Sequence, residues 1–352
     1  MSNKEIKYLS ASKIKTLQSC SWLYWCNYHL KLPDTPNDGA SRGTVCHQLF
    51  ECLGNPRHKA HYNNIIKAGT IWKNKSISRY IKTLSKKLSV DDEENIQLIE
   101  QMILNGLRYD FFGSETSKPS EGISEKDFAI SESKGDINYS IRGFIDKLFL
   151  YKSKSTALIR DFKTSKKVFS GKDITDNLQA LMYSLAVKKM YPNIKNTTAE
   201  FLFLKFNLDS DMLGKRGEGV ISINSISNEE LKGFEYFLTE IQSAVNSFSE
   251  KDARSNFAAK QNFPSDGSFG GPLSCGFAKR KNQLKKDGTK MWHCSYKFAF
   301  KYWKLEDKNG KIIKTAFEKE DLISSQNEGQ KISQQQYDGC PHWVKKQDEF
   351  DL

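Results

Sequence analysis

Residues 123–206 leave this 352-residue chain few ways to fold. Three runs rich in β-branched and aromatic residues, 123–133, 138–151 and 156–163, are separated only by Gly135-Asp136 and by Lys152-Ser153-Lys154-Ser155. They read as three successive strands with tight connections. Apolar residues then recur at Ile174, Leu178, Leu181 and Leu185, the stripe of a long helix that lays one face on a sheet, with Asp173 placed to begin it. Residues 198–206, TAEFLFLKF, read as a buried strand, and Asn228 to Phe248 as another amphipathic helix.

The flanks differ from this centre. Upstream, a helix capped by Ser10 or Ser12 carries Ile14, Leu17, Trp22 and Leu23 until Pro33 and Pro36 end it, and a second runs from Ser41 to about Leu53 with Gly43, Val45, His47, Leu49 and Phe50. Residues 54–122 are Lys-rich and helix-like in two pieces, the latter introduced by Asp91 and Asp92 and continuing through Ile96, Leu98, Ile99, Ile103 and Leu107. After about residue 250 the composition turns to Gly, Ser and Lys, and Asp287-Gly288 and Asn309-Gly310 signal short hairpins. The expected division is a helical region over 1–122, an α/β core over 123–250 and a basic tail over 251–352 that holds three cysteines.

Composition narrows the function classes. At 38% hydrophobic and 27% charged residues the chain is expected to fold rather than stay disordered. Its net charge of +12 favours a polyanionic partner, nucleic acid first, although a Lys-rich surface also serves solubility alone. Seven cysteines, an odd number spread over the whole length, point to a reducing compartment, the cytoplasm. No secretory leader is expected, and the longest apolar runs, such as Phe201 to Leu204, fall far short of the roughly 20 residues of a membrane helix. There is no G-x-x-x-x-G-K-[ST] loop, which argues against an NTP-driven motor within the chain, and no internal repeat.

Candidate chemistry centres on Asp161-Phe162-Lys163. About six acid-x-base triplets are expected by chance at this composition, so the triplet matters only through its context. It ends the apolar run Ala157-Leu158-Ile159, and strand alternation sends Asp161 and Lys163 to one face and Phe162 into the core. Asp146 ends the run from Ile141, and if the two strands are neighbours its carboxylate reaches the same edge. Two such carboxylates repel unless a hard divalent cation sits between them. Mg²⁺ or Mn²⁺ suits two aspartates and a backbone carbonyl such as that of Phe162, and Lys163 adds positive charge beside the reacting phosphate. Gln179 and Tyr183 lie four apart on one helix face, and His47 follows Gly43 by about one turn as a further candidate ligand.

Taken in the order His47, Asp146, Asp161-Phe162-Lys163, Gln179-x-x-x-Tyr183, these residues make the chain resemble the RecB-like branch of the PD-(D/E)XK nuclease superfamily, close to CRISPR-associated adaptation nucleases and phage exonucleases. LSASKIKTLQSCSWLYWCNYHLKLP and RGTVCHQLFECL look like that branch's helical entry and its Gly-x-x-x-His motif. The resemblance covers roughly residues 8–53 and 123–206. It implies an α/β fold, a restriction-endonuclease-like αβββαβ core with a helical N-terminal insertion and an irregular Cys-containing tail. It also implies roles: His47, Asp146 and Asp161 as ligands of Mg²⁺ or Mn²⁺, Lys163 orienting or activating the water, and Gln179 and Tyr183 contacting the site or the strand. Glu125, in SEKDFAI, matches a family acid less closely.

The resemblance further implies a [4Fe–4S] cluster on Cys20, Cys275, Cys294 and Cys340. Here 18 and 45 residues separate the late cysteines, which lie close together in the family, and Ser21 follows Cys20 in place of the usual proline. Zn²⁺, with His293 or His342 as a fourth ligand, and plain buried or free thiols are the other readings. Cys26, Cys46 and Cys52 read as packing residues.

Lys166, Lys167 and Lys172, with Lys279, Arg280, Lys281, Lys285 and Lys286 of the tail, are placed to follow a phosphate backbone or to form a solvated face. Trp292, Tyr296, Trp303 and Trp343 interleave with the tail's cations and offer stacking on unpaired bases. The expected function is a metal-dependent DNA nuclease, an exonuclease acting on DNA ends or single strands in recombination, repair or genome turnover. A DNA-binding subunit whose catalysis has lapsed, partnered by a helicase or recombination protein, is the first alternative. A structural protein with a metal-clasped tail is the second.

Overall fold

The computed structural model describes residues 7–35, 37–115, 117–209, 217–255, 275–276 and 278–343, without the side chains of Lys172 and Asp173. Two units emerge: residues 1–11 with 36–242, and residues 12–35 with 243–352.

The chain opens with α1 (Ala11–Ser19) and α2 (Ser21–Tyr28), which belong to one expected helix that is broken at Cys20. Cys20 is extended, with φ −164°, and its Sγ accepts the Leu23 N–H at 3.4 Å. A thiol capping α2 thus splits the helix. The first unit continues with α3 (Asp38–Gly54), α4 (Lys59–Ala68), α5 (Lys75–Lys87) and α6 (Glu93–Arg108). The span expected to hold two helical pieces therefore holds three full helices. Asn37, Asn74 and Asp92 cap α3, α5 and α6 through their side chains.

Strands β1 (Glu121–Lys134), β2 (Ile137–Tyr151) and β3 (Thr156–Lys163) form where the alternation placed them, the first two antiparallel from Glu121↔Leu150 to Lys134↔Ile137. Short α7 (Lys172–Thr175) and then α8 (Leu178–Met190) cross to β4 (Asn196–Phe203), which runs parallel to β3, and β5 (Val220–Ile223) closes the edge in the order β1-β2-β3-β4-β5. Asp173 does not begin the long helix; Asn177 does, its side chain accepting the N–H groups of Gln179 and Ala180. Both residues are good caps, and the chain uses the second because α7 stops at Thr175.

One face of the sheet meets α3 to α6 through Val45, Leu49, Phe50, Ile99, Met102, Ile103, Phe162 and Leu202. Burial of each large member contributes on the order of 2 kcal/mol. Helix α6 approaches closely only because residue 106 is glycine, since a Cβ there would lie 2.6 Å from the Phe50 ring. Helix α8 has eight buried residues, among them Met182, Tyr183 and Leu185, and packs on β1, β3 and β4, while α9 (Asn228–Ser247) holds β2 through Glu235, which accepts from the Tyr139 hydroxyl at 2.8 Å. Inside this core Arg160 of β3 donates twice to Glu200 of β4, at 2.8 and 3.1 Å, in a pair buried on both sides.

The second unit joins α1 and α2 to α10 (Glu250–Ser255), to β6 (Phe300–Glu306), β7 (Ile312–Ala316), α11 (Glu320–Ile323) and β8 (Lys331–Tyr337). Its sheet runs β7-β6-β8, with the expected Asn309-Gly310 hairpin between β6 and β7. The Tyr337 hydroxyl links three segments, accepting from Trp22 Nε1 at 2.8 Å and donating to the Tyr296 carbonyl at 2.8 Å. No helix among the described residues is long and apolar enough to cross a membrane.

Candidate functional site

The site grows from a place where strand pairing gives out. The β2–β3 ladder ends at Lys147↔Arg160, so β2 does not stop at Asp146 as expected; it arrives there and pairs only beyond it. In place of a further ladder bond, the Asp146 carboxylate takes the Phe162 N–H at 2.7 Å. That bond satisfies a backbone donor and fixes the carboxylate at the mouth of the split. On the other side of β2, pairing passes from Ser124↔Lys147 to Lys126↔Ile145, and Glu125 between them is left-handed, with φ +48°. Such a backbone is costly for a residue with a Cβ, and here it accompanies a carboxylate turned toward its neighbours.

Helix α3 supplies the histidine. Its apolar face, Val45, Leu49, Phe50 and Leu53, is seated in the core, so His47 falls on the flank toward β2, with Nδ1 3.3 Å from Asp146 Oδ2. Gly43, one turn earlier, lets the Thr164 hydroxyl come within 3.0 Å of where a Cβ would stand. Ligand atoms of His47, Glu125 and Asp146 all lie within 4.8 Å of one another.

Asp161 stands on the inner side of this group and is held by a chain of partners. Its Oδ1 accepts from Gln179 Nε2 at 2.5 Å, and Lys163 Nζ lies 2.7 Å from its Oδ2. Gln179 of α8 also accepts from Lys163 Nζ at 2.7 Å and donates to the Tyr183 hydroxyl at 2.7 Å. Asp161 Oδ2 is buried, with the Lys163 ammonium 2.7 Å away as its partner. A buried carboxylate oxygen is suited to a cation.

The electrostatics carry the mark of crowded negative charge. Burial raises Glu125 to about 7, reinforced by Asp146. Asp161 rises to about 6 through burial and then Asp146, against the pull of Lys163 and His47. Burial alone would lower His47, but Asp146, Asp161 and Glu125 together lift it to about 9. Tyr183 is raised well above its ordinary value by burial and by Asp161, so it stays a neutral phenol. Ligands about 2.1 Å from one ion lie at most about 4.2 Å apart, so closing the 4.8 Å group on Mg²⁺ or Mn²⁺ takes only small side-chain movements. The donor set, oxygens with one imidazole, suits either ion.

His47, Asp146, Asp161, Lys163, Gln179 and Tyr183 are therefore brought to one place. The compact ligand group, however, includes Glu125 and not Asp161, which its partners hold just outside. The sequence signal for Glu125 was weak because its position depends on a backbone conformation that no pattern announces. Lys166 is exposed and lines a groove of about 860 Å³ with His47 and Lys163, whereas Lys167 is exposed outside that lining. Lys172 lies outside the described side chains. In the second unit Lys279, Arg280 and Lys281 are exposed at a turn, as are Lys285 and Lys286. Of the four aromatics expected to stack on bases only Trp292 is well exposed; Tyr296 is buried and bonds Asn27 and Leu32, because it fills the core of its unit. Trp303 packs on the small cluster of Leu305, Ala316 and Leu322, and the ring of Trp343 lies under Lys297.

The second unit gathers Cys20, Cys275, Cys294 and Cys340 around a cavity of about 60 Å³, with Ser19, Trp22, Leu23, Tyr296 and Lys297 completing its wall. Burial pushes Cys294 up to about 12 and raises Cys340, with the neighbouring cysteines adding to both. Lys297 is buried, donates to the Gly276 carbonyl at 2.8 Å and has the Trp343 ring 3.7 Å away. Among the described residues no three of the sulfurs lie within 4.8 Å of one another. Four thiolates on one Zn²⁺ require edges of about 3.8 Å. Neither His293 nor His342 lines the cavity; each has a ring nitrogen against a backbone carbonyl, of Cys294 and Arg254 respectively. Cys26 and Cys46 are fully buried and Cys52 half-buried.

Comparison with known proteins supplies the family. The sequence profile of the PD-(D/E)XK nuclease superfamily matches residues 8–275. No curated protein matches the chain. Fourteen solved chains do. One, from Eubacterium rectale and provisionally assigned as an exonuclease, has a TM-score of 0.41 at 11% identity and covers 70% of this chain and 82% of its own. Another, SSO0001, has a TM-score of 0.26 at 14% identity, covering 50% and 69%. The profile match spans most of the sequence, and the αβββαβ order of the first unit accords with it: the chain belongs to the PD-(D/E)XK nuclease superfamily, a family of phosphodiester-cleaving enzymes with a restriction-endonuclease-like core.

Proposed function

We propose that this chain is a divalent-metal-dependent DNA nuclease of the RecB-like branch, an exonuclease that acts on DNA ends or single strands in the cytoplasm and serves recombination, repair or genome turnover. The observation that carries this reading is the His47, Glu125 and Asp146 group within 4.8 Å, with the buried Asp161 and its Lys163 partner beside it. In this reading His47, Glu125, Asp146 and Asp161 hold Mg²⁺ or Mn²⁺. When bound, such an ion supplies Lewis acidity to the phosphate and a more acidic water. Lys163 places a positive charge where charge grows on the phosphate, and Gln179 keeps that ammonium aligned with Asp161. Asp146, pinned by the Phe162 N–H, keeps its second oxygen directed by the backbone rather than by solvent. Tyr183, a neutral phenol, buttresses Gln179.

The test is digestion of end-labelled linear DNA and of covalently closed circles with Mg²⁺, Mn²⁺ or EDTA. Linear DNA is expected to be degraded only with metal, circles to resist, and Asp146→Asn or Lys163→Ala to lower the rate by about 10²-fold or more without lowering the melting temperature. Wild-type rates in both variants would overturn the site. Salt-sensitive binding without cleavage under every ion would return the chain to the lapsed, DNA-binding reading, for which a helicase or recombination partner is the natural companion.

For the cysteine cavity we favour a [4Fe–4S] cluster over Zn²⁺, because among the described residues no three of its sulfurs lie within 4.8 Å of one another and a buried ammonium lines it. Protein purified without oxygen is expected to be brown and to contain about four irons and no stoichiometric zinc. Colourless protein with one zinc, or with neither metal, overturns this assignment and leaves the nuclease reading untouched.

A further inference from the structure

Three cations of the first unit converge on one groove whose lining also holds Asp38 and Glu94. Arg42 lies on α3, Lys166 follows β3, and Lys205 sits in the turn after β4, yet all three line the groove of about 860 Å³ that also reaches His47 and Lys163. Lys205 is held below the ordinary lysine range by burial and then by Arg42 and Lys166, with the Cys46 thiol acting in the opposite sense. The guanidinium of Arg42 donates to Asn95 through Nη1, while its Nε is buried with no hydrogen-bond partner. Asn95 is in turn held by the α6 cap Asp92. Asp38 and Glu94 share the groove, but Asp38 accepts from Asn95 at 3.4 Å. Like charges gathered in a cleft repel and cost stability in the free protein, and an anion seated among them removes that cost.

We propose that Arg42, Lys166 and Lys205 form a phosphate subsite that grips a nucleic-acid strand beside the metal group, one or more nucleotides from the phosphate that reacts. Resting on the nuclease reading for the identity of its ligand, the subsite assigns work to Arg42 and Lys205, which no motif singles out. The guanidinium offers a planar fork to two phosphate oxygens, and the two ammonium groups act as adjustable point charges around it. Ser165 and Thr164, in the same lining, offer hydroxyl donors to the same oxygens.

The experiment measures fluorescence anisotropy of a short 5′-labelled single-stranded oligonucleotide in EDTA, where cleavage plays no part, for wild type, Lys205→Gln, Lys166→Gln and the double variant. A matched oligonucleotide carrying a 5′-phosphate, labelled at its 3′ end, separates a terminal phosphate from an internal one. Each single substitution is expected to weaken binding several-fold at moderate salt and to lower the slope of log affinity against log salt by about 0.7. Melting temperatures are expected to hold or rise, because repulsion has been relieved. The control Lys308→Gln, at the exposed β6–β7 turn of the second unit, should bind as wild type does. Unchanged affinity and slope in the double variant overturns the subsite, as does a loss of binding matched by Lys308→Gln or accompanied by a lower melting temperature. Failure of the nuclease reading looks different, since wild type itself would then cleave with neither metal, whether or not it binds.

Discussion

At the scale of single residues, Glu125 is where the site departs most from ordinary chain geometry. Its left-handed backbone costs about 1 kcal/mol, and its carboxylate is crowded by Asp146. Glu125 and Asp161 are raised from 4.5 to about 7 and from 3.8 to about 6, and His47 from 6.5 to about 9. All three shifts have one sign: the native protein holds protons more tightly than the unfolded chain, so stability falls as pH rises. The acids lose ground between roughly pH 4 and 7, and the contribution of His47, complete below 6.5, disappears as pH rises through 9. Without metal, the melting temperature is therefore expected to decline from pH 5 to pH 9, and added Mn²⁺ to restore most at the high end, where ligands are deprotonated. Glu125→Gly should flatten the decline and weaken Mn²⁺ binding by calorimetry. A flat wild-type profile, or undiminished Mn²⁺ affinity in the variant, would remove Glu125 from the group. His47, Asp146, Asp161 and Lys163 were legible because each sits in a regular element whose period tells where its side chain points. Glu125 was scarcely so, since regular alternation fails at the residue that matters.

At the scale of elements, β3, which carries Asp161 and Lys163, runs beside β4 in a parallel register in which Arg160 faces Glu200. Asp110 lies 3.6 Å from the same guanidinium. Removing one partner from such a buried pair strands the other charge: Glu200→Ala should destabilise the protein by about 3–5 kcal/mol in urea unfolding, and Glu200→Met combined with Arg160→Met by much less. Equal costs for the single and double changes would show that packing, not charge, is what the pair provides. Strands β1 to β3 could be read from alternation and α6 from its caps. Strand β8 could not, because KISQQQY lacks an apolar face and is a strand through its pairing with β6. Asn177 and Asp173 are equally good caps locally, and packing of α8 on β4 decides between them.

At the scale of the whole molecule, the chain groups into two compact units, one of which draws on two distant stretches of sequence. The nuclease-family core falls in the larger unit, whose main segment, 36–242, is continuous, whereas the smaller unit is assembled from 12–35 and 243–352. Composition locates a change of character near residue 250 but says nothing about which earlier segment rejoins the tail. That partnership depends on contacts such as Ser21 Oγ donating to the Ala253 carbonyl at 2.8 Å, between residues that no local pattern connects.

Cys20 lies in the second helix cap and Cys340 just after the last strand, yet both border one cavity. A ribosome makes a chain from its first residue, so α1 and α2 emerge long before the sulfurs that complete their surroundings. The larger unit has all the sequence it needs much earlier and can fold meanwhile. A segment translated before the larger unit is thus packed after it, and until residues beyond 243 are made Trp22 and Tyr24 lack partners such as Tyr337 and Phe248.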